Sequence, residues 1–186
     1  MLEEEITETP EIDEALLKEA VQRDAGICRH LYHGTSKFLA HEIQKNTKIK
    51  IGSEIGYMGY GFYCYIYDIN ASKIWAREKF GEEKISVLKI VANLGDLLFI
   101  YNELYDILKE KAHKACKGNT GRLHQFIGLI IEKIIKDILS SKHGIEISAV
   151  CSTYYLKQQK ESRLTTMYSL RNEEMVKDIK IEWEEL

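Results

Sequence analysis

The sequence predicts a mixed α+β domain with strands towards both ends. Three observations carry that expectation. Short runs rich in β-branched and aromatic residues (HLYHGTS, GFYCYIY, ISVLKIVA) are bounded by glycines and polar turns. Two apolar stripes at helical spacing lie between residues 101 and 142. Apolar residues make up 45% and aromatics 10% of the chain, which excludes a disordered polymer. At 186 residues the chain suits one domain able to bury a sizeable core without staples. Its single proline excludes proline-rich linkers. No run of eighteen apolar residues occurs, so no membrane span is expected.

Each element follows from a local pattern. Over 11–23, Ile12, Ala15, Leu16, Ala20 and Val21 share one helical face, and Gly26 stops that helix. Residues 1–26, acidic and carrying this helix, read as an N-terminal extension to a domain over 27–186. HLYHGTS is a short strand running into a turn, and a helix follows at Lys37–Asn46. Gly52, Gly56, Gly59 and Gly61 make 52–61 a loop. GFYCYIY is a strand, and its aromatic residues Tyr65 and Tyr67 are expected in the core. Asp68 or Asn70 then caps a helix through Ile74, Trp75 and Phe80, with Trp75 also expected in the core. Strands are predicted at 84–92 and 97–100. Tyr101, Leu104, Tyr105 and Leu108 form the first helical stripe. After a break at GNTG, Ile127, Ile130, Ile131, Ile134, Ile135 and Ile138 form the second. Strands at 145–155 and 167–170, a short helix at 173–176 and a strand at 179–183 complete the chain.

The net charge of −3 is unevenly spread. Residues 1–20 carry −7, whereas 21–181 hold 25 basic and 18 acidic groups, or +7. A basic body suits a polyanionic ligand such as a dinucleotide, and equally an ordinary solvated surface. The acidic start is unlike a secretory or mitochondrial leader, which makes the cytoplasm the expected location. Cys28, Cys64, Cys116 and Cys151 are scattered and fit reduced, structural thiols. The six histidines include no HxH or HxxxH pair, so no metal site is expected.

The stretch from Leu31 to Ala76 bears the chemistry. In His33-Gly34-Thr35 the glycine removes a side chain beside the histidine, so a flat ligand can reach the Gly34 N–H and C=O. Such a pair matches a carboxamide, and His33 can donate to a ribose hydroxyl. A plain turn with an incidental histidine is the competing reading of that tripeptide. In GYMGYGFY, Tyr57, Tyr60 and Tyr63 lie beside flexible backbone and can stack on an aromatic ring. Lys157, Lys160 and Arg163 form a basic patch, read as a solvated loop or as a contact with a phosphate.

Together LYHGTS, GYMGYGFYCYIYD and ASKIWA resemble the ADP-ribosyltransferase superfamily, in the diphtheria-toxin-like branch that includes poly(ADP-ribose) polymerases. His33 lies thirty residues before Tyr63, as the family spacing requires. The order HGT…GFY…A…WA is similar to that of small bacterial members. The resemblance covers about 45 residues and implies an ADP-ribosyltransferase-like fold: two small, mostly antiparallel sheets around an NAD cleft, with a helical element at 101–142 packed outside. It implies NAD as substrate and no metal. It assigns His33 to the adenosine ribose of NAD and Gly34, with neighbouring Thr35, to the carboxamide-binding turn. Tyr63 would stack on the nicotinamide, with Tyr57 as its partner from the loop, and Ser72 would bond the amide. The third signature position, a glutamate in many members, falls on Met167, or on Thr166 with a one-residue slip. Neither is acidic. Family members of that type are mono-ADP-ribosylating or inactive.

The implied function is transfer of one ADP-ribose from NAD to a macromolecular acceptor, protein or nucleic acid, with release of nicotinamide, in a toxin or conflict effector. The alternative is an inactive module that binds NAD, ADP-ribose or a protein. An RNA 2′-phosphotransferase ranks last, because no arginine cluster accompanies His33-Gly34-Thr35.

Overall fold

The computed structural model describes residues 6, 11–24, 26–116, 120–157 and 162–186, with backbone alone for 154–157, 162 and 163. The basic patch at Lys157, Lys160 and Arg163 therefore lies outside the described side chains. Helix α1 (Glu14–Ala20) leads into strands β1 (Val21–Arg23) and β2 (Cys28–Ser36), helix α2 (Lys37–Asn46), β3 (Phe62–Ile66) and α3 (Ile69–Phe80). Then come β4 (Ile85–Asn93), β5 (Asp96–Ile100), α4 (Asn102–Ala115), α5 (Leu123–Lys133), a π-helical stretch (Ile134–Ser140) and the short α6 (Ser141–His143). Strands β6 (Ile147–Lys157), β7 (Ser162–Leu170) and β8 (Val176–Glu184) complete the fold, with a 3₁₀ turn at Glu173–Met175.

The α+β class is as predicted. The two separate sheets are not found: the described strands form one eight-stranded sheet in the order β1-β5-β6-β7-β3-β2-β4-β8. The reason lies in its middle. Strands β2 and β3 pair over only Leu31↔Ile66 and Tyr32↔Tyr65, and that two-residue joint unites what would otherwise be two halves. Beyond it β2 runs on alongside β4 as far as Ser36↔Ile85, while β3 runs on alongside β7 as far as Phe62↔Leu170.

Side-chain alternation along the strands divides the core between two faces. Leu98, Ile100, Val150, Tyr65 and Met167 join a cluster containing Leu17, Leu104, Leu108, Phe126, Ile127 and Ile131 from the helices. Leu97, Ala149, Cys151, Cys64 and Leu31 join the other, with Leu88, Ile90 and Tyr168. Strands β5 and β6 are parallel, so the chain between them must cross over, and residues 101–146 form that crossover. Its second stripe is buried at Ile127, Ile130, Ile131, Ile134 and Ile135. There the wider π turn takes over from the α-helix.

Two local expectations are corrected. The first helix ends at Ala20, because Val21–Arg23 pairs with Leu98–Asp96 as an edge strand. Tyr67 is not core: it lies past the end of β3, is 70% exposed, and adopts φ 51° at the turn into α3.

Candidate functional site

The site forms where the β2–β3 ladder stops. His33 is the first β2 residue beyond the joint, and its Nδ1–H donates to the Tyr63 carbonyl at 2.6 Å. A side chain thus takes up a backbone acceptor at the point where the two strands part. The imidazole lies on Phe62, centroids 4.0 Å apart, and 5.7 Å from the Trp75 ring. It is 8% exposed. Burial lowers its pKa from the usual 6.5 to about 4, against the opposing Tyr63 bond and with a small further push from Lys79. The ring is therefore neutral at pH 7, with its proton on Nδ1. Nε2 is then an acceptor, so the expected donation to a ribose hydroxyl is reversed: the hydroxyl would donate to His33.

Gly34 follows. Lys37 N–H bonds the Lys84 carbonyl at 2.8 Å, in register with the β2–β4 ladder. By the alternation of antiparallel pairs, Thr35 and His33 bond towards β4, and the Gly34 N–H and C=O point to the opposite side, that of β3. Its missing side chain also serves the packing of the fold. A Cβ at Gly34 would overlap the Ser72 carbonyl, so the glycine lets α3 lie directly on β2. Thr35 is buried opposite Ser86. Ser72 is fully buried, and its hydroxyl donates to the Asp68 carbonyl at 3.1 Å.

Tyr63 organises the glycine loop. Its hydroxyl donates to the Gly59 carbonyl at 2.7 Å and accepts from the Met58 N–H at 3.1 Å. Burial raises its pKa to about 12, so it stays a phenol. Gly56 and Gly59 exchange two backbone bonds of 3.2 Å, with Gly59 at φ 80°, closing a tight hairpin. Tyr57, at its tip, turns onto the helices, 5.7 Å from the Tyr105 ring and 5.5 Å from His124.

Two residues unremarked in the sequence hold this loop. Glu132 accepts the Tyr60 N–H at 2.6 Å and takes both arms of Arg171 at 2.7 and 2.6 Å. Arg171 also donates to the Tyr60 carbonyl at 3.3 Å. The only sign in the sequence was an acid directly after the apolar run that ends at Ile131 on α5. Gly128 admits the hairpin, since a Cβ there would overlap the Gly56 carbonyl.

Met167 sits on β7 opposite Tyr65 and is buried in the helix-side cluster. Thr166 faces the other way and bonds the Thr153 hydroxyl at 2.9 Å. His33, Gly34 and Tyr63 are thus drawn together, with Ser72 packed behind Gly34.

The four cysteines are free, and burial raises the Cys64 thiol strongly and Cys151 to about 12. That leaves neither activated as a nucleophile. Among the described residues, no group of three His, Cys, Asp or Glu could hold a metal ion, and no helix is long and apolar enough to cross a membrane. No family model matches this sequence. No curated protein matches it significantly.

Proposed function

We propose that this protein binds NAD and transfers a single ADP-ribose to a macromolecular acceptor, releasing nicotinamide. The observation that carries the reading is the His33–Tyr63 contact at the parting of β2 and β3, with the Gly34 amide directed to the same side. In this reading the Gly34 N–H and C=O take the nicotinamide carboxamide and the Tyr63 ring stacks on the nicotinamide. The neutral Nε2 of His33 accepts from the adenosine ribose. Cleaving the nicotinamide–ribose bond passes through an oxocarbenium-like state. Holding the leaving group and the bent dinucleotide lowers that barrier. A cytoplasmic toxin or conflict effector is the setting we propose for it. The test is incubation with labelled NAD and separate protein, RNA and DNA pools. Label transferred to one pool, with nicotinamide released, supports the transferase. NAD bound without turnover favours a second reading, a non-catalytic NAD or ADP-ribose module, which draws its support from the buried, non-acidic Met167.

A further inference from the structure

One face of α3 turns to the cleft. At about 100° per residue, Ser72, Trp75 and Lys79 fall within about 60° of one another around the helix. Contacts fix two of them there. The Ser72 carbonyl packs on Gly34, and the Trp75 ring lies 5.7 Å from the His33 ring. Lys79 follows Trp75 by one turn, and its Nζ stands 4.8 Å from the centre of the indole. Its charge reaches the buried imidazole, where it adds to the lowering of the His33 pKa. A cation therefore stands at the rim of the cleft.

That cation is free for a ligand. Lys79 is exposed, and among the described residues it meets two ring faces, Trp75 and, at 5.8 Å, Phe80, but no carboxylate. The indole steadies a flexible stem and leaves the ammonium N–H groups for an oxygen acceptor. The neighbouring cations are engaged elsewhere. Arg77 binds Glu185 at 2.6 and 2.7 Å, and Lys37 binds Glu184 at 2.8 Å. Lys73 turns the other way, 3.8 Å from the centre of the Trp183 ring. The C-terminus of α3 favours a positive charge, and Arg77 in the same last turn already supplies one.

The ligand of the cleft brings the opposite charge. NAD carries an anionic pyrophosphate between its two riboses. His33 is neutral at pH 7, Tyr63 is a phenol, and Gly34 offers only its amide groups, so none of the three answers that charge. An anion drawn into a partly dry cleft without a partner is costly. We propose that Lys79 holds the pyrophosphate of NAD, its ammonium placed at the mouth of the cleft by the face of Trp75. The proposal rests on the NAD reading of the cleft. It does not depend on turnover, so it applies equally to a transferase and to a binding module.

The experiment measures NAD affinity by calorimetry, at low and at physiological salt, for wild type, Lys79→Met and Lys79→Arg, with melting temperatures alongside. Lys79→Met should weaken NAD about tenfold or more at low salt, the usual worth of a hydrogen bond to a charged group. The gap should narrow at physiological salt, where the attraction is screened. Lys79→Arg keeps the charge and should stay close to wild type. Melting temperatures should hardly move, because the side chain is exposed. Equal NAD affinity in wild type and Lys79→Met overturns the role of Lys79 and leaves the NAD reading standing. A loss that Lys79→Arg shares in full, or that salt does not alter, also overturns it, since either marks a packing contact with Trp75. A wild-type protein that binds no NAD overturns both.

Discussion

Glu132 and Arg171 meet through two parallel bonds of 2.7 and 2.6 Å, and together they grip both the N–H and the carbonyl of Tyr60. Their side chains are only 19% and 17% exposed, so removing one leaves the other poorly solvated. Glu132→Ala should destabilise the fold by about 2–3 kcal/mol, within the range for a charged hydrogen bond left unmade. Arg171→Met should cost a similar amount. The double variant should cost less than the sum, and urea melts of all four proteins measure that coupling.

Tyr63→Phe keeps the stacking ring but removes two bonds to the glycine hairpin. We expect a loss of about 1–2 kcal/mol and faster amide exchange at Met58, with little change in NAD affinity. Tyr63→Ala removes the ring as well and should weaken NAD binding about tenfold or more. Equal affinity in calorimetry would remove Tyr63 from the pocket.

Gly34→Ala places a methyl group into the Ser72 carbonyl. Helix α3 must lift from β2, at a cost of about 3 kcal/mol or more. Gly26→Ala meets open space and only the strain of φ 86°, so its melting temperature should fall far less.

His33 makes stability depend on acid. Its pKa is lowered from 6.5 to about 4, so the folded state refuses a proton that the unfolded chain accepts. The stability that neutral His33 contributes is full above pH 6.5, falls as the pH drops towards about 4, and is spent below that. The loss across that window is roughly 3 kcal/mol. His33→Gln should flatten this part of the profile in chemical denaturation at pH 7 and pH 5.

Ile131 is fully buried in the helix-side core, and Ile131→Asp should prevent folding or cut stability severely, as a melt would show.

Most elements were legible because their signals are local. Asp68, one of the two caps expected for α3, and the isoleucine stripe follow from spacing and side-chain chemistry alone. Val21–Arg23 continued the helical pattern of α1, and only pairing with Asp96–Leu98 made it a strand. The single sheet was hidden for the same reason, since it turns on two residue pairs distant in sequence. In the site, His33, Gly34 and Tyr63 were readable as a motif. The reversal of the His33 donor and acceptor roles was not, because it depends on where the Tyr63 carbonyl lies. Glu132 and Arg171 left only the trace of charges bordering apolar runs.

The glycine hairpin also has a place in time. Its anchors come late in the chain: Glu132 follows Tyr60 by 72 residues and Arg171 by 111. At about 5–20 residues per second, a ribosome delivers Arg171 roughly 6–20 seconds after Tyr60. Until then the segment held against the Tyr63 hydroxyl lacks its Glu132–Arg171 clamp. The nascent chain therefore fixes its glycine hairpin only after the crossover helices and β7 have emerged, and a product cut short before Arg171 would carry the motif without its final shape.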